Sequence, residues 1–244
     1  MRTKVALGAL SGIALFSVAS NAGPLNVKGK IAGQDKLVPE VYAEAAKPES
    51  RRWTWREPSP SVAAQFRTLS ANPSRDLCIA ATAAQGAGSG EATRMTITGG
   101  RVFPTTIVVA PGAQLAFKNF DPFKHRVYIV NNPAFKPEDM GPQQVRSWSA
   151  PSGQNKFEVR DELFPSVRTF IIVDPQVVAV TYPGRDGAFG FSLPAGEYVL
   201  KAFFNGHAVG KPVTVTAKEK STFELKDPFN VAPEGAAAPE PDKK

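Results

Sequence analysis

The residues with the widest chemical reach in this chain are few: two histidines, His125 and His207, one cysteine, Cys78, and three tryptophans, Trp53, Trp55 and Trp148. An imidazole moves protons or binds a metal, and a thiolate is a nucleophile and a soft ligand. A lone cysteine forms no internal disulfide, no Cys-based zinc site and no iron–sulfur cluster. The sequence has no G-x-S-x-G and no H-E-x-x-H motif, and no Cys–His pair in a plausible context. The Gly-rich stretch at 86–90 lacks the lysine of a phosphate loop. The adjacent carboxylates Glu138-Asp139 and Asp161-Glu162 point to opposite faces of any strand that carries them, which suits solvated surface. No catalytic residue is assigned, and the expectation is a protein that is not an enzyme.

The tryptophans admit a binding role. Trp53 and Trp55 alternate with Arg52, Thr54 and Arg56, so a strand here puts both indoles on one face. Exposed together with Trp148, they could stack on a sugar or grip a partner chain. The alternative is that they cover the edge of a sandwich while the arginines solvate it.

The elements that would position these residues read as β throughout. Of 244 residues, 42% are hydrophobic and 21% charged, as in an ordinary soluble domain, with 20 Gly and 22 Pro to break the chain into short runs. Apolar residues recur at every second position in runs at 95–98, 105–109, 114–119, 126–130, 156–160 and 168–173. Further runs lie at 27–31, 38–43, 188–193, 197–204, 212–216 and 222–225, and Asn205-Gly206 signals a hairpin. Leu77-Cys78-Ile79-Ala80-Ala81 reads as a buried strand, in which a free cysteine is an inert small hydrophobe. Residues 61–70 suit a short helix, 83–90 a flexible loop, and the Pro-rich stretch 131–153 a surface loop. From residue 227 onward Pro and Ala dominate, which predicts a disordered tail.

Residues 1–22 have the pattern of a secretory leader: Arg2 and Lys4, an apolar stretch from Val5 to Val18, then Ser20-Asn21-Ala22. The stretch falls short of the roughly 20 residues that span a bilayer, so no stable membrane span is expected after cleavage. The predicted location is periplasmic or secreted. Lys and Arg total 29 against 22 Asp and Glu, for a net charge of +7, and they are scattered. A nucleic-acid binder concentrates such charge on one stripe, so no nucleic acid is expected as partner.

The stretch from Arg101 to Val127 contains Phe103-Pro104, Pro111-Gly112, Phe117, Asn119-Phe120-Asp121 and His125-Arg126-Val127. In this order and spacing it resembles the bacterial periplasmic cupredoxins, including methylamine-utilisation-like members. The resemblance places His125 on the family's first imidazole ligand to copper. The other ligands of such proteins arrive in a C-x-x-H-x-x-M segment, and the corresponding segment here is Asp161-Glu162-Leu163-Phe164-Pro165-Ser166-Val167. Asp161, Phe164 and Val167 stand where Cys, His and Met would be. A blue-copper site needs a thiolate and two imidazoles, and Phe164 and Val167 have no lone pairs to offer. The resulting expectation is an emptied site, closed by a His125–Asp161 pair over a Phe164 plug, since a carboxylate beside an imidazole favours its charged form. A His125 whose ring meets only water fits the sequence as well. A weak metal site built from His125 with His207, Met140 or Asp161 stays open.

Asp186-Gly187-Ala188-Phe189-Gly190-Phe191-Ser192-Leu193-Pro194-Ala195-Gly196-Glu197-Tyr198-Val199-Leu200 resembles a carboxypeptidase-regulatory-like, or transthyretin-like, β-sandwich, with Phe189, Phe191, Leu193, Tyr198 and Leu200 inward. Val27-Lys28-Gly29-Lys30-Ile31 looks like the opening strand of the same module, so the N-terminal strands are expected to pair with the C-terminal ones around an inserted cupredoxin unit.

The expected organisation is therefore all-β, a Greek-key cupredoxin-like sandwich plus a smaller transthyretin-like one. Its parts are a leader at 1–22, N-terminal strands at 23–94, a cupredoxin-like unit at 95–176, transthyretin-like strands at 177–226 and a tail at 227–244. The function expected is a non-catalytic binding or structural module of the cell envelope with no cofactor, its partner an envelope protein or glycan. The alternatives are a copper protein for transport or electron transfer with an unusual ligand set, in which His125 is a ligand, and a carbohydrate-binding module using Trp53, Trp55 and Trp148.

Overall fold

The computed structural model describes residues 25–37, 71–86, 93–153 and 155–233. These form sixteen strands: β1 (Val27–Ala32), β2 (Leu77–Thr82), β3 (Thr93–Thr98), β4 (Arg101–Phe103), β5 (Thr106–Val109) and β6 (Gln114–Asn119); then β7 (Val127–Ile129), β8 (Val145–Ser149), β9 (Asn155–Asp161), β10 (Arg168–Val173) and β11 (Val177–Thr181); and finally β12 (Ala188–Phe191), β13 (Gly196–Phe204), β14 (His207–Ala217), β15 (Phe223–Glu224) and β16 (Phe229–Asn230). A four-residue helix α1 (Pro73–Asp76), with Pro at its first turn, leads into β2. The protein is all-β.

The strands form four sheets. Sheet I runs β12-β1-β15, with β16 also on β1; sheet II is β11-β2-β13-β14; sheet III is β5-β10-β9-β7; sheet IV is β4-β3-β6-β8. Strands β1 and β2 therefore belong with residues 177–230, and residues 93–173 build the other two sheets between them in sequence. The hairpin from β13 to β14 turns on Asn205 and Gly206 at φ 49° and 73°, the two positive values such a tight turn needs.

Alternation along the strands shows how the sheets stack. Leu77, Ile79 and Ala81 of β2 face a core with Val27, Phe189, Phe191, Tyr198 and Leu200, between sheets I and II. The other face of β2, Cys78 and Ala80, meets Val108 of β5, Ile172 of β10 and Phe203 of β13, between sheets II and III. Ile107, Val109, Ile171 and Val173, on the opposite side of β5 and β10, join Met95, Ile97, Leu115 and Phe117 between sheets III and IV. Sheets II and III are thus covered on both faces, which is why β2 is buried at all six residues and β5 at all four. A solvent-facing strand would alternate.

Three expectations need correction. Strand β8 lies inside the stretch 131–153 assigned to a surface loop, pairing with β6 from Gln114↔Ser149 to Lys118↔Val145. It is an edge strand whose one buried side chain is Trp148, so the alternation that marks a strand is nearly absent. Strand β4, three residues long, lies outside the predicted runs. The tail assigned to disorder from 227 is ordered at its start: β16 pairs with β1, and Phe229 and Val231 are 1% and 0% exposed in the core between sheets I and II. The strand expected at 38–43, the helix at 61–70, the leader and residues 234–244 lie outside the described residues.

Candidate functional site

Consecutive strands of the second sandwich switch sheets from β4 to β5, β6 to β7 and β8 to β9, so its ends are crossed by loops. One end gathers the β6–β7 crossing with two connections that stay within a sheet, the β3–β4 turn and the β9–β10 loop. Asn119, fully buried, shapes the β6–β7 crossing. Its Nδ2 donates to the carbonyls of Phe123 (2.8 Å) and Met140 (3.1 Å), and its Oδ1 accepts from the Asp121 amide at 2.8 Å. The His125 backbone pairs with Met140, amide to carbonyl at 3.0 Å one way and 2.8 Å the other. Thus anchored, the His125 ring is fully buried.

Both of its nitrogens face carboxylates. Nδ1 lies 2.8 Å from Asp161 Oδ2 and Nε2 lies 3.0 Å from Asp121 Oδ2. An ionised carboxylate only accepts, so each contact is a hydrogen bond where that ring nitrogen carries a proton. Asp161 Oδ2 also accepts from the Arg126 amide at 3.1 Å, and its Oδ1 accepts from the amides of Leu163 (2.7 Å) and Phe164 (3.0 Å). Asp121 accepts from the amides of Gly99 (2.5 Å) and Gly100 (2.9 Å), which the β3–β4 turn presents at φ 59° and 64°. Burial by itself would push the Asp121 carboxyl up, but the Gly100 and Gly99 amides together with His125 outweigh it and hold it below the ordinary aspartate value.

Phe164 covers the imidazole at 4.8 Å between ring centroids, and Phe123 lies 5.3 Å from it, the two phenyl rings stacking at 4.7 Å. Val167 is fully buried, its amide bonded to the Phe164 carbonyl.

The donor set does not fit copper. Phe164 and Val167 carry no donor atom, and the lone pairs of Asp121 and Asp161 aim at opposite edges of one ring and not at a common point. Cys78 lies in the layer between sheets II and III, outside the core that holds this site, and burial pushes its thiol up to about 12 despite contacts with Val108 and Tyr182. His207 is exposed on β14, 3.0 Å from Lys156 Nζ. Lys156 and Asp161 are five residues apart on β9, roughly 16 Å along a strand. The Met140 side chain is buried in the sandwich core. Among the described residues, no group of three or more His, Cys, Asp or Glu is placed to hold a metal ion.

Trp148 is 8% exposed and packs edge-to-face on Phe157 at 5.0 Å, so it is a core residue and not part of an exposed aromatic platform. Trp53 and Trp55 lie outside the described residues. The partner that sequence reasoning missed is Asp121. Its signal was the Asn119-Phe120-Asp121 pattern, which sets a carboxylate four residues before His125.

No family model and no curated sequence matches the chain. Solved structures match at low overall agreement. A reduced amicyanin mutant is 16% identical with a TM-score of 0.32, over 39% of this chain and 99% of that one. A purple cupredoxin from Nitrosopumilus maritimus is 13% identical with a TM-score of 0.31, over 34% and 99%. The Cu-containing nitrite reductase (NirK) from Thermus scotoductus SA-01 is 16% identical with a TM-score of 0.30, over 38% of this chain and only a quarter, 25%, of that protein.

Proposed function

We propose that this chain is an exported, non-catalytic module of the cell envelope, built on a cupredoxin-like sandwich whose metal position is closed by an ion-paired cluster, and that it works by binding an envelope protein or glycan. The observation that carries this reading is the fully buried His125 ring, with both nitrogens engaged by Asp121 and Asp161. A metal ligand needs a free lone pair on one imidazole nitrogen, and here a metal would have to displace a carboxylate from either one. The absence of nucleophile motifs and the scarcity of imidazole support a role in binding over turnover.

The test is titration of the purified protein with Cu(II), followed by optical absorption, electron paramagnetic resonance and thermal unfolding. The expected result is no thiolate-to-copper charge-transfer band and no stabilisation. A native-state ligand at a hundredfold excess over its dissociation constant would add about 2.7 kcal/mol, which unfolding detects readily. A band that disappears in His125→Ala or Cys78→Ser would overturn the reading in favour of a copper protein. Crosslinking in the native host, with fractionation of the envelope, identifies the partner and tests export.

A further inference from the structure

Strand β8 is an edge of sheet IV: it pairs with β6 on one side only. The phase of that ladder follows from its two ends. The Asn119 amide donates to the Gln144 carbonyl at 3.0 Å, and the Ala150 amide donates to the Ala113 carbonyl at 2.9 Å. Bonded and non-bonded pairs alternate along antiparallel strands, so Arg146 and Trp148 turn their backbone groups to β6. Val145, Ser147 and Ser149 turn theirs outward. Among the described residues, no hydrogen bond engages these outward amides and carbonyls. All three residues are exposed, and Val145, at 52%, is the most exposed of the large hydrophobic side chains described.

The other sheet edges carry the devices that keep an edge from pairing. Strands β4 and β7 have three residues, β12 four, and β15 and β16 two each. Strand β5 is buried throughout. The long edge strand β14 is broken by Gly210 at φ 66° and by Pro212, where its register on β13 shifts, and β11 shifts register between Val177 and Ala179. By contrast, β8 has five residues in unbroken register, with no proline, glycine or bulge. Its one charge, Arg146, is turned to the core side, where the guanidinium lies over Phe135 and donates to the Val127 and Lys136 carbonyls.

We propose that β8 pairs with β8 of a second copy of this chain, antiparallel about a two-fold axis at Ser147. Ser147 then stands opposite Ser147 of the second copy and Val145 opposite its Ser149, so the outward amides of each strand meet the outward carbonyls of the other. The two copies of sheet IV become one continuous sheet. No like charges face each other across the seam, since Lys118, the nearest charge in register, stands one strand back beside Val145. A foreign extended segment would find the same backbone groups but no side-chain pockets to select it, whereas a second copy matches β8 in length, register and lack of charge. This inference uses no residue of the His125 cluster, so its failure leaves the function proposed above untouched.

The test is sedimentation velocity of the purified protein from about 1 μM to about 500 μM, with amide hydrogen exchange at both ends of that range. A reversible dimer is expected, with the amides of Val145, Ser147 and Ser149 slowed only where the dimer is populated. Ser147→Pro removes the central outward N–H without breaking a bond inside the chain, and Ser147→Lys sets like charges opposite each other. Each is expected to raise the dissociation constant at least about tenfold. Because Ser147 is exposed, the lysine variant keeps the test decisive if Ser147→Pro does not fold. A monomer at every concentration, a dimer that the lysine variant leaves unchanged, or protection gained at another edge instead of β8 would each overturn the proposal.

Discussion

Replacing Asp161 by Asn keeps the shape of the side chain and removes one acceptor. The carboxylate accepts four hydrogen bonds, two at each oxygen: His125 Nδ1 and the Arg126 amide at Oδ2, the Leu163 and Phe164 amides at Oδ1. An amide side chain must turn its NH2 toward one of these pairs, so two donors lose their acceptor and face another donor. The side chain is fully buried, and water cannot repair the loss. Each orphaned donor costs about 1–3 kcal/mol, giving about 2–6 kcal/mol. Removing a buried charge returns some desolvation energy, so about 3 kcal/mol is expected. In urea, with a slope of about 2 kcal/mol/M, the unfolding midpoint falls by roughly 1.5 M. Circular dichroism follows this, with the slope unchanged if the unfolded state is unaffected. His125→Phe combined with Asp161→Asn should restore only a fraction, because backbone donors remain. A midpoint shift below about 0.3 M, or full rescue by the double variant, would refute the assignment of Asp161 as the hub of this end of the sandwich.

Other outcomes follow from the same structure. Because Asp121 is held below its ordinary value of 3.8, it contributes stability that is fully present above that value and lost as pH falls through its lower folded-state value. Asp121→Asn should therefore flatten the acid limb of stability against pH below about 3.8, and an unchanged limb would contradict the site's electrostatics. With its thiol pushed up to about 12, Cys78 should react with a disulfide reagent at pH 8 only after unfolding; rapid labelling of the native protein would show the layer between sheets II and III to be open. Phe229→Ala should cost about 3–4 kcal/mol in the same denaturation assay, whereas a dispensable tail would show no change.

How much of this could be read from the sequence varies with how much each feature declares itself locally. Strands β3 and β6 of sheet IV alternate visibly, and β6 and β10 have the predicted limits, 114–119 and 168–173. The continuous apolar run of β2 signalled burial on both faces, but not that sheet III covers the second, since that contact joins residues far apart in sequence. In the tail, Pro and Ala outnumber the two residues that matter: Phe229 and Val231 suffice to order the chain because a pocket beside β1 is ready to receive them. At the site, the segment 161–167 brought Asp161 and Phe164 to His125 by alignment with a known pattern. Asp121 could not be found that way, because its role depends on the β3–β4 turn aiming two amides at it, and a turn's direction is a property of the fold.

The cluster's arrangement joins three loops. Here Asp121 bonds Gly99 and Gly100 of one loop to His125 of the next, Asp161 bonds His125 and Arg126 to Leu163 and Phe164 of the third, and Ser166 Oγ closes the circuit on the Gly100 carbonyl at 2.6 Å. Three loops are thus joined through one imidazole and two carboxylates in a buried site, where hydrogen bonds to charged groups are strong and their loss is costly. Deleting any one member strands the others, so single substitutions at Asp121, His125 and Asp161 should each cost nearly as much as the triple substitution. Additive losses would mean that the three bonds act separately and that the loops are held by their hydrophobic contacts alone.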